Sequence, residues 1–262
     1  MAQKNGKGDG FIETVKTVVY ALLIAGIFRT VFFQPFWIPS GSMKDTLLIG
    51  DFLFVNKMAY GYSRYSCPMD LCPFSGRILA KMPKRGDVVV FHHPVSGEDY
   101  IKRLIGLPGD TVQVKNGLLY INGTPVKEEP AGVFTEKFAP QGPLGGMPRC
   151  ENAPVAPGGA CTKTRFRETL PGGVTHDILK ITDQGFANNT EVYTVPAGEF
   201  FFMGDNRDNS EDSRFAQAEG GVGFVPFENL IGRADRIVFS SAGDSLFYFW
   251  TWRTDRFFKA IE

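Results

Sequence analysis

The segment that most constrains this chain lies near its N-terminus. Thr17 to Phe28 reads TVVYALLIAGIF, twelve uncharged and mostly apolar residues. A helix crossing a bilayer needs roughly 20 such residues. Extending the run from Phe11 to Phe33 supplies the length, with Glu13, Lys16 and Arg29 towards its ends, where long basic side chains can snorkel to the headgroups. No polar face interrupts Val18 to Phe28, which argues against a core helix of a soluble domain. A cleaved signal peptide would need small residues after the apolar run. The chain instead continues Val31-Phe32-Phe33-Gln34-Pro35-Phe36-Trp37. The expectation is an uncleaved anchor over residues 11–33. Lys4, Lys7 and Lys16 precede most of it, which places residues 1–10 in the cytoplasm.

Beyond Pro35 the residue types change. The chain holds 30 Gly, 17 Pro and 24 Phe, which favours short strands and turns over long helices. Asp51 to Val55 and Asp87 to Phe91 are short apolar runs between turn residues. Thr111 to Lys115 alternates, Asn116-Gly117 follows, and Leu118 to Ile121 completes a hairpin signal. Residues from about 125 to 190 differ, with a Pro- and Gly-rich stretch from Ala139 to Ala160. They read as an elaborated, partly loop-like insertion. Strand character returns at Glu191 to Val195, Phe200 to Met203 and Arg236 to Phe239. The expected fold is mainly β: a transmembrane helix, then an antiparallel β-sheet catalytic core with a smaller inserted β/loop domain. The core occupies residues 34–110 and 196–245, and the insertion 111–195. Residues 246–262 form an aromatic C-terminal segment too short to span, free to pack on the core or to rest at the membrane interface.

Charge excludes little but is informative. Lys+Arg and Asp+Glu are 28 each, so no basic excess points to nucleic acid. The three histidines, His92, His93 and His176, form no zinc-spaced cluster with cysteine or aspartate, so neither metal nor cofactor is expected. Four cysteines fall in two close pairs, Cys67 with Cys72 and Cys150 with Cys161. In an oxidising compartment each pair could staple a short loop. Sequence alone leaves free thiols and other pairings open.

Chemistry concentrates in three places. Pro39-Ser40-Gly41-Ser42-Met43 follows a strand-like run, and Gly41 leaves room for a sharp turn and a close substrate chain. A serine hydroxyl needs a neighbouring base before it attacks anything. Histidine is scarce, and Tyr100-Ile101-Lys102-Arg103 offers a lysine. In an extended chain Tyr100 and Lys102 share one face and Arg103 takes the other. As a base near pH 7, Lys102 must be neutral, about 4 kcal/mol against an ordinary lysine pKa near roughly 10.4. Burial among apolar groups supplies such a penalty. The third place, Gly204 to Arg214, is dense in hydrogen-bonding groups directly after an apolar run.

Together these segments resemble bacterial type I signal peptidase, a membrane-bound Ser-Lys endopeptidase. The resemblance runs through the anchor, Pro39 to Met43 with Thr46-Leu47, Arg85 to Val89, Tyr100 to Arg103 with Gly106 to Asp110, and Gly204-Asp205-Asn206 with Ser210, Asp212 and Arg214. It implies Ser42 as nucleophile and Lys102 as general base. Ser40 joins the Ser42 N–H as oxyanion donor, and Ser210 orients the amine. Asp205 with Arg103 and Asp212 with Arg214 are supporting ion pairs. Phe36, Ile38, Leu47, Leu53, Val90, Tyr100 and Ile101 match positions lining the family's shallow substrate pockets. The implied partners are the signal peptides of exported preproteins, cut after Ala-x-Ala sites, and the phospholipid bilayer of the bacterial inner membrane. The implied form is a monomer with its catalytic domain outside the cytoplasm. Three features depart from the family pattern: a single span, an insertion from Met58 to Pro83, and His93 before Pro94. A membrane-anchored binding domain, a self-cleaving repressor and a peptidase dedicated to one secretion system are the rival readings.

Overall fold

The computed structural model describes residues 6–67, 72–143, 145–243 and 246–261. The one long helix among these residues, α1, covers Gly6–Val31. The 22 residues from Gly10 to Val31 are long and apolar enough to cross a membrane, and none of the most apolar stretch is buried inside the protein. At 1.5 Å per residue they span about 33 Å, close to a hydrocarbon core of about 30 Å. Exposed Leu22, Leu23, Ile24 and Ile27 have no protein surface to cover them, as expected of a lipid-facing helix. The helix begins five residues before the expected Phe11 and ends two before Phe33, where β1 starts.

Among the described residues fourteen strands follow in chain order. They are β1 (Phe33–Trp37), β2 (Asp51–Asn56), β3 (Val88–His92), β4 (Asp99–Gly106), β5 (Thr111–Lys115), β6 (Leu118–Ile121), β7 (Thr124–Pro125), β8 (Lys127–Lys137), β9 (Ala160–Thr169), β10 (Thr175–Lys180), β11 (Tyr193–Thr194), β12 (Glu199–Met203), β13 (Val225–Pro226) and β14 (Leu230–Ser240). They form a seven-stranded sheet in the order β1-β2-β14-β3-β4-β12-β13, a four-stranded sheet β11-β5-β6-β7 and a three-stranded sheet β10-β9-β8. Every strand pairing is antiparallel. The mainly β reading with one N-terminal apolar helix therefore holds.

The central strands are where the sequence is most apolar. Val88, Val89, Val90 and Phe91 of β3 are all buried, as a strand covered on both faces requires. Val89, Phe91, Leu104, Phe200 and Phe202 pack on one side of the large sheet. Ile38, Met43, Leu47, Leu53, Val88 and Ile237 pack on another. The β5–β6 hairpin turns at Asn116 and Gly117, with φ of 49° and 73°. Both angles are left-handed, as a type I′ turn demands, and Asn-Gly accepts them readily.

The segment between residues 125 and 190 is more regular than its composition suggests. Strands β8 and β9 form a ladder from Lys127 opposite Thr169 to Lys137 opposite Ala160, shifted by a bulge between Pro130 and Gly132. Alternating Lys, Glu and Thr along these strands hide the apolar periodicity that reveals a half-buried strand. Both close cysteine pairs are bonded, with Cα–Cα separations of 5.2 Å for Cys67–Cys72 and 5.1 Å for Cys150–Cys161. Beyond β14 the described residues run through turns and two short 3-10 helices, Phe249–Thr251 and Thr254–Arg256. Trp252 packs edge-on against Phe239, while Phe247, Phe249 and Trp250 face outwards.

Candidate active site

The turn after β1 is fixed from below. Ile38 donates to Asp51 O and accepts from Gly50 N–H, so the chain leaves β1 still tied to the start of β2. Met43 and Leu47 are wholly buried, and Leu47 N–H donates to Met43 O at 2.8 Å. Between these anchors Ser42 is only 7 % exposed. Lys102 comes from β4, opposite Val89 of β3, and is 4 % exposed. Its Nζ donates to Ser42 Oγ at 2.7 Å.

Burial lowers the Lys102 amine from its ordinary value to about 8. Asp212, Glu211 and Asp205 oppose that shift, and Arg214 adds to it. The ammonium also lies 5.3 Å from the centre of the Tyr100 ring, on the face that strand alternation assigns to both. The arrangement can place an uncharged amine against a hydroxyl at a pH not far above neutral, as general-base activation of a nucleophile requires. Ser40 is exposed, with Oγ 3.5 Å from Ser42 Oγ.

The loop after β12 closes the site from the other side. Gly204 has no room for a side chain: a Cβ there would lie 2.2 Å from Ser210 Oγ and 2.6 Å from Ser42 O. Asn206 N–H donates to Ser42 O at 3.0 Å, and its side-chain amide donates to Gly41 O at 2.9 Å. Asp205 accepts from Arg103 Nε at 2.9 Å and Nη2 at 2.8 Å, and from Thr46. Burial alone would raise the Asp205 carboxyl, but Arg103, with help from His176 and Thr46, holds it below the ordinary value. Asp212 pairs with Arg214 through Nε at 2.8 Å and Nη2 at 2.9 Å, and takes the Gly204 N–H at 3.0 Å. It too is held low against burial, chiefly by Arg214.

The two expected ion pairs and the Ser42–Lys102 contact therefore meet in one place. The expected bond between Ser210 and Lys102 is not formed. Ser210 is buried beside Gly204 and faces Asp212, and its Oγ makes no well-formed hydrogen bond with any described residue. Among the residues matched to substrate pockets, Leu47, Leu53, Val90 and Ile38 are at most 2 % exposed, so they shape the core beneath the surface. Phe36, Tyr100 and Ile101 are half-buried and offer open surface.

Sequence reading gave no role to four residues that brace this site. Asn206 belongs to the Gly204-Asp205-Asn206 motif, yet its grip on the Ser42 turn depends on a contact 165 positions away. Arg207 binds Glu168 of β9 at 2.7 and 2.6 Å, with both side chains buried. His176 Nε2 lies 3.2 Å from Glu168 Oε2, and burial followed by Arg103 lowers its pKa. A polar residue inside a polar run carries no periodic signal of burial, so none of these could be found locally.

A family model described as signal peptidase, peptidase S26, matches residues 11–239. Signal peptidase I of Rickettsia akari (strain Hartford) is 39 % identical over 231 residues, covering 85 % of this chain and 77 % of that protein. Signal peptidase I of Rickettsia typhi (strain ATCC VR-144 / Wilmington) is 39 % identical over 242 residues, covering 87 % and 82 %. The crystal structure of a signal peptidase I from Enterococcus faecalis V583 is 29 % identical, covers 58 % of this chain and 97 % of its own, and superposes with a TM-score of 0.30. With a site built from a buried serine and lysine and matched relatives over most of its length, the chain belongs to the signal peptidase family, peptidase S26, whose members are hydrolases.

Proposed function

We propose that this enzyme removes signal peptides from exported preproteins by a Ser-Lys mechanism, cutting after small residues at Ala-x-Ala sites. The observation that carries the reading is the 2.7 Å contact between Lys102 Nζ and Ser42 Oγ in a site nearly closed to water. Neutral Lys102 takes the Ser42 proton as Oγ attacks the scissile carbonyl. The oxyanion of the tetrahedral intermediate is held by the Ser42 N–H and the Ser40 hydroxyl. On collapse the C–N bond breaks, and the Lys102 ammonium returns its proton to the departing amine. Lys102 then deprotonates a water that attacks the acyl ester; the bond from the acyl carbon to Ser42 Oγ breaks, the Lys102 ammonium returns the proton to Ser42 Oγ, and the signal peptide leaves with a new carboxyl end.

The supporting residues follow from this division of labour. Ser210, whose Oγ makes no well-formed hydrogen bond with any described residue, orients the Lys102 amine. Asp205–Arg103 and Asp212–Arg214 hold the two ends of the catalytic loop. Phe36, Tyr100 and Ile101, over Ile38, Leu47, Leu53 and Val90, receive the residues before the cut. Support for an extended substrate comes from β4. Strand β12 pairs with Arg103, Leu104 and Gly106, leaving Asp99 to Lys102 with β3 as their one strand neighbour among the described residues. An extended peptide can align there and present alternate side chains to the pockets.

The α1 helix fits a membrane-anchored protein. In the proposed arrangement residues 1–10 are cytoplasmic and the catalytic core, 34–110 with 196–245, stands outside the inner membrane with 111–195 inserted. The enzyme acts as a monomer at the bilayer surface. The test is incubation of the purified full-length protein in detergent with several preproteins carrying Ala-x-Ala sites, followed by mass analysis. A single cut after the second Ala is expected. A folded protein inert on all of them would overturn the reading.

A further inference from the structure

Two residues past Ser42 stands a lysine that the mechanism does not use. Lys44 is 5 % exposed, and a position this dry is costly for an ammonium without partners. Its stem runs beneath the turn that carries the nucleophile: a Cβ at Gly41 would lie 3.1 Å from Lys44 Cε and 3.3 Å from Cδ. Its backbone N–H donates to Gly41 O at 3.2 Å. Its ammonium leaves the large sheet altogether. Nζ donates to Glu136 Oε2 and to Gln141 Oε1.

Both partners belong to the inserted segment. Glu136 is on β8, opposite Cys161 of β9, and its second oxygen takes the fully buried Lys163. Gln141 returns its own amide to Glu136 Oε2 at 2.8 Å, so lysine, carboxylate and amide form a closed cluster. A second contact brings the same segment against the same turn. Gly142 has φ of +66°, and a Cβ there would lie 2.7 Å from Pro39 O. The loop after β8 thus meets the backbone before Ser42 while Lys44 ties the backbone after it.

We propose that Lys44 is a positioning residue: with Glu136 and Gln141 it fastens the Ser42 turn to the three-stranded sheet, so that this sheet sets the aim of Ser42 Oγ and of the Ser42 N–H. The proposal rests on Ser42 being the nucleophile. Lys44 touches no reacting atom and acts through the peptide units of Gly41 and Ser42. Removing Lys44 leaves Glu136 paired with Lys163 but cuts its tie to the Ser42 turn, and removing the Glu136 charge leaves Lys44 buried without its counter-ion, so the turn must shift to hydrate it. Displacing a reacting group by about 1 Å can cost about a hundredfold in rate.

The experiment measures kcat and KM for preprotein cleavage by the full-length protein in detergent. Wild type, Lys44→Met, Glu136→Gln and the double variant are compared, with Arg167→Ala as a control. Methionine keeps the length of the stem and removes the charge. Arg167 sits on the exposed part of β9, paired with Asp177. Unfolding curves establish that each protein is folded at the assay temperature. The expected result is a fall in kcat of about tenfold or more in each single variant, with KM within about twofold of wild type. The double variant should lose no more than the worse single one, because both break the same link. Arg167→Ala should match wild type. Should Lys44→Met not fold, Gln141→Ala takes its place beside Glu136→Gln. Folded variants with wild-type kcat, losses confined to KM, or losses that multiply in the double variant would each overturn the proposal. If wild type itself cuts nothing, the underlying reading fails and this proposal with it, an outcome distinct from a normal wild type with normal variants.

Discussion

Lys102 Nζ and Ser42 Oγ stand 2.7 Å apart although sixty residues separate them in the chain, and neither is more than 7 % exposed. Strand β4 supplies one and the turn after β1 the other. The contact has a pH dependence built in. Burial, against the pull of Asp212, Glu211 and Asp205, sets the amine to about 8. Below that pH Lys102 is an ammonium that cannot accept the Ser42 proton, and above it the free base predominates. In the free enzyme, kcat/KM should therefore rise about tenfold per pH unit up to about pH 8 and level off beyond. A profile flat from pH 6 to 9 would contradict this.

The same lowering predicts a stability effect that also rises with pH, but in a higher window than the activity effect. An unfolded lysine keeps its ordinary 10.5, so between about 8 and 10.5 the unfolded chain binds more protons than the folded one. Stability of the wild type should climb with pH across that window, and the full cost is present below pH 8. That cost is roughly 3 kcal/mol at pH 7. Lys102→Met should be inactive yet more stable than wild type at pH 7, with the gain shrinking towards pH 10.5. Denaturant midpoints measured at pH 7 and pH 10 test this. A variant less stable than wild type at pH 7 would show that the amine is not destabilising the fold.

Gly204 is required by space, since an added methyl would meet Ser210 and the Ser42 carbonyl. Gly204→Ala should push the two loops apart and lower kcat at least tenfold, since displacements of about 1 Å cost that much or more. Activity near wild type, from steady-state assays, would mean that the loops accommodate the methyl without moving Ser42.

Asp205 and Arg103 form a buried pair of two parallel hydrogen bonds. Asp205→Asn removes the charge but keeps the shape, leaving Arg103 buried without its counter-ion. Breaking a buried pair in this way costs about 3–5 kcal/mol. Urea unfolding should show a loss of that size. A change below about 1 kcal/mol would mean that the remaining partners of Arg103, Gly86 O and Thr46 among them, suffice to hold the guanidinium.

The anchor, the hairpin at Asn116-Gly117 and the central strands β3 and β4 were legible because their signals are local: an unbroken apolar run, a turn dipeptide, a β-branched cluster. Strand β14 showed only at Arg236 to Phe239, although it starts at Leu230. Its earlier residues include Gly232, where the Asn56 backbone approaches within 2.6 Å of a notional Cβ. Glu191 to Val195 read as a strand of five residues, and only Tyr193–Thr194 pairs. The site was legible through motifs rather than through periodicity. What stayed hidden was every brace made between distant polar residues: Asn206 with Gly41, Arg207 with Glu168, Lys44 with Glu136. Each lies in a polar stretch, and burial of a polar side chain is decided by the partner it meets after folding.

The measurement that tests the central claim most directly is preprotein cleavage by wild type, Ser42→Ala and Lys102→Met side by side, with product masses read by spectrometry. The account predicts one cut, after the second Ala of the Ala-x-Ala site, by wild type alone, with both variants folded and inert. The same cut made by either folded variant would contradict the Ser42–Lys102 assignment.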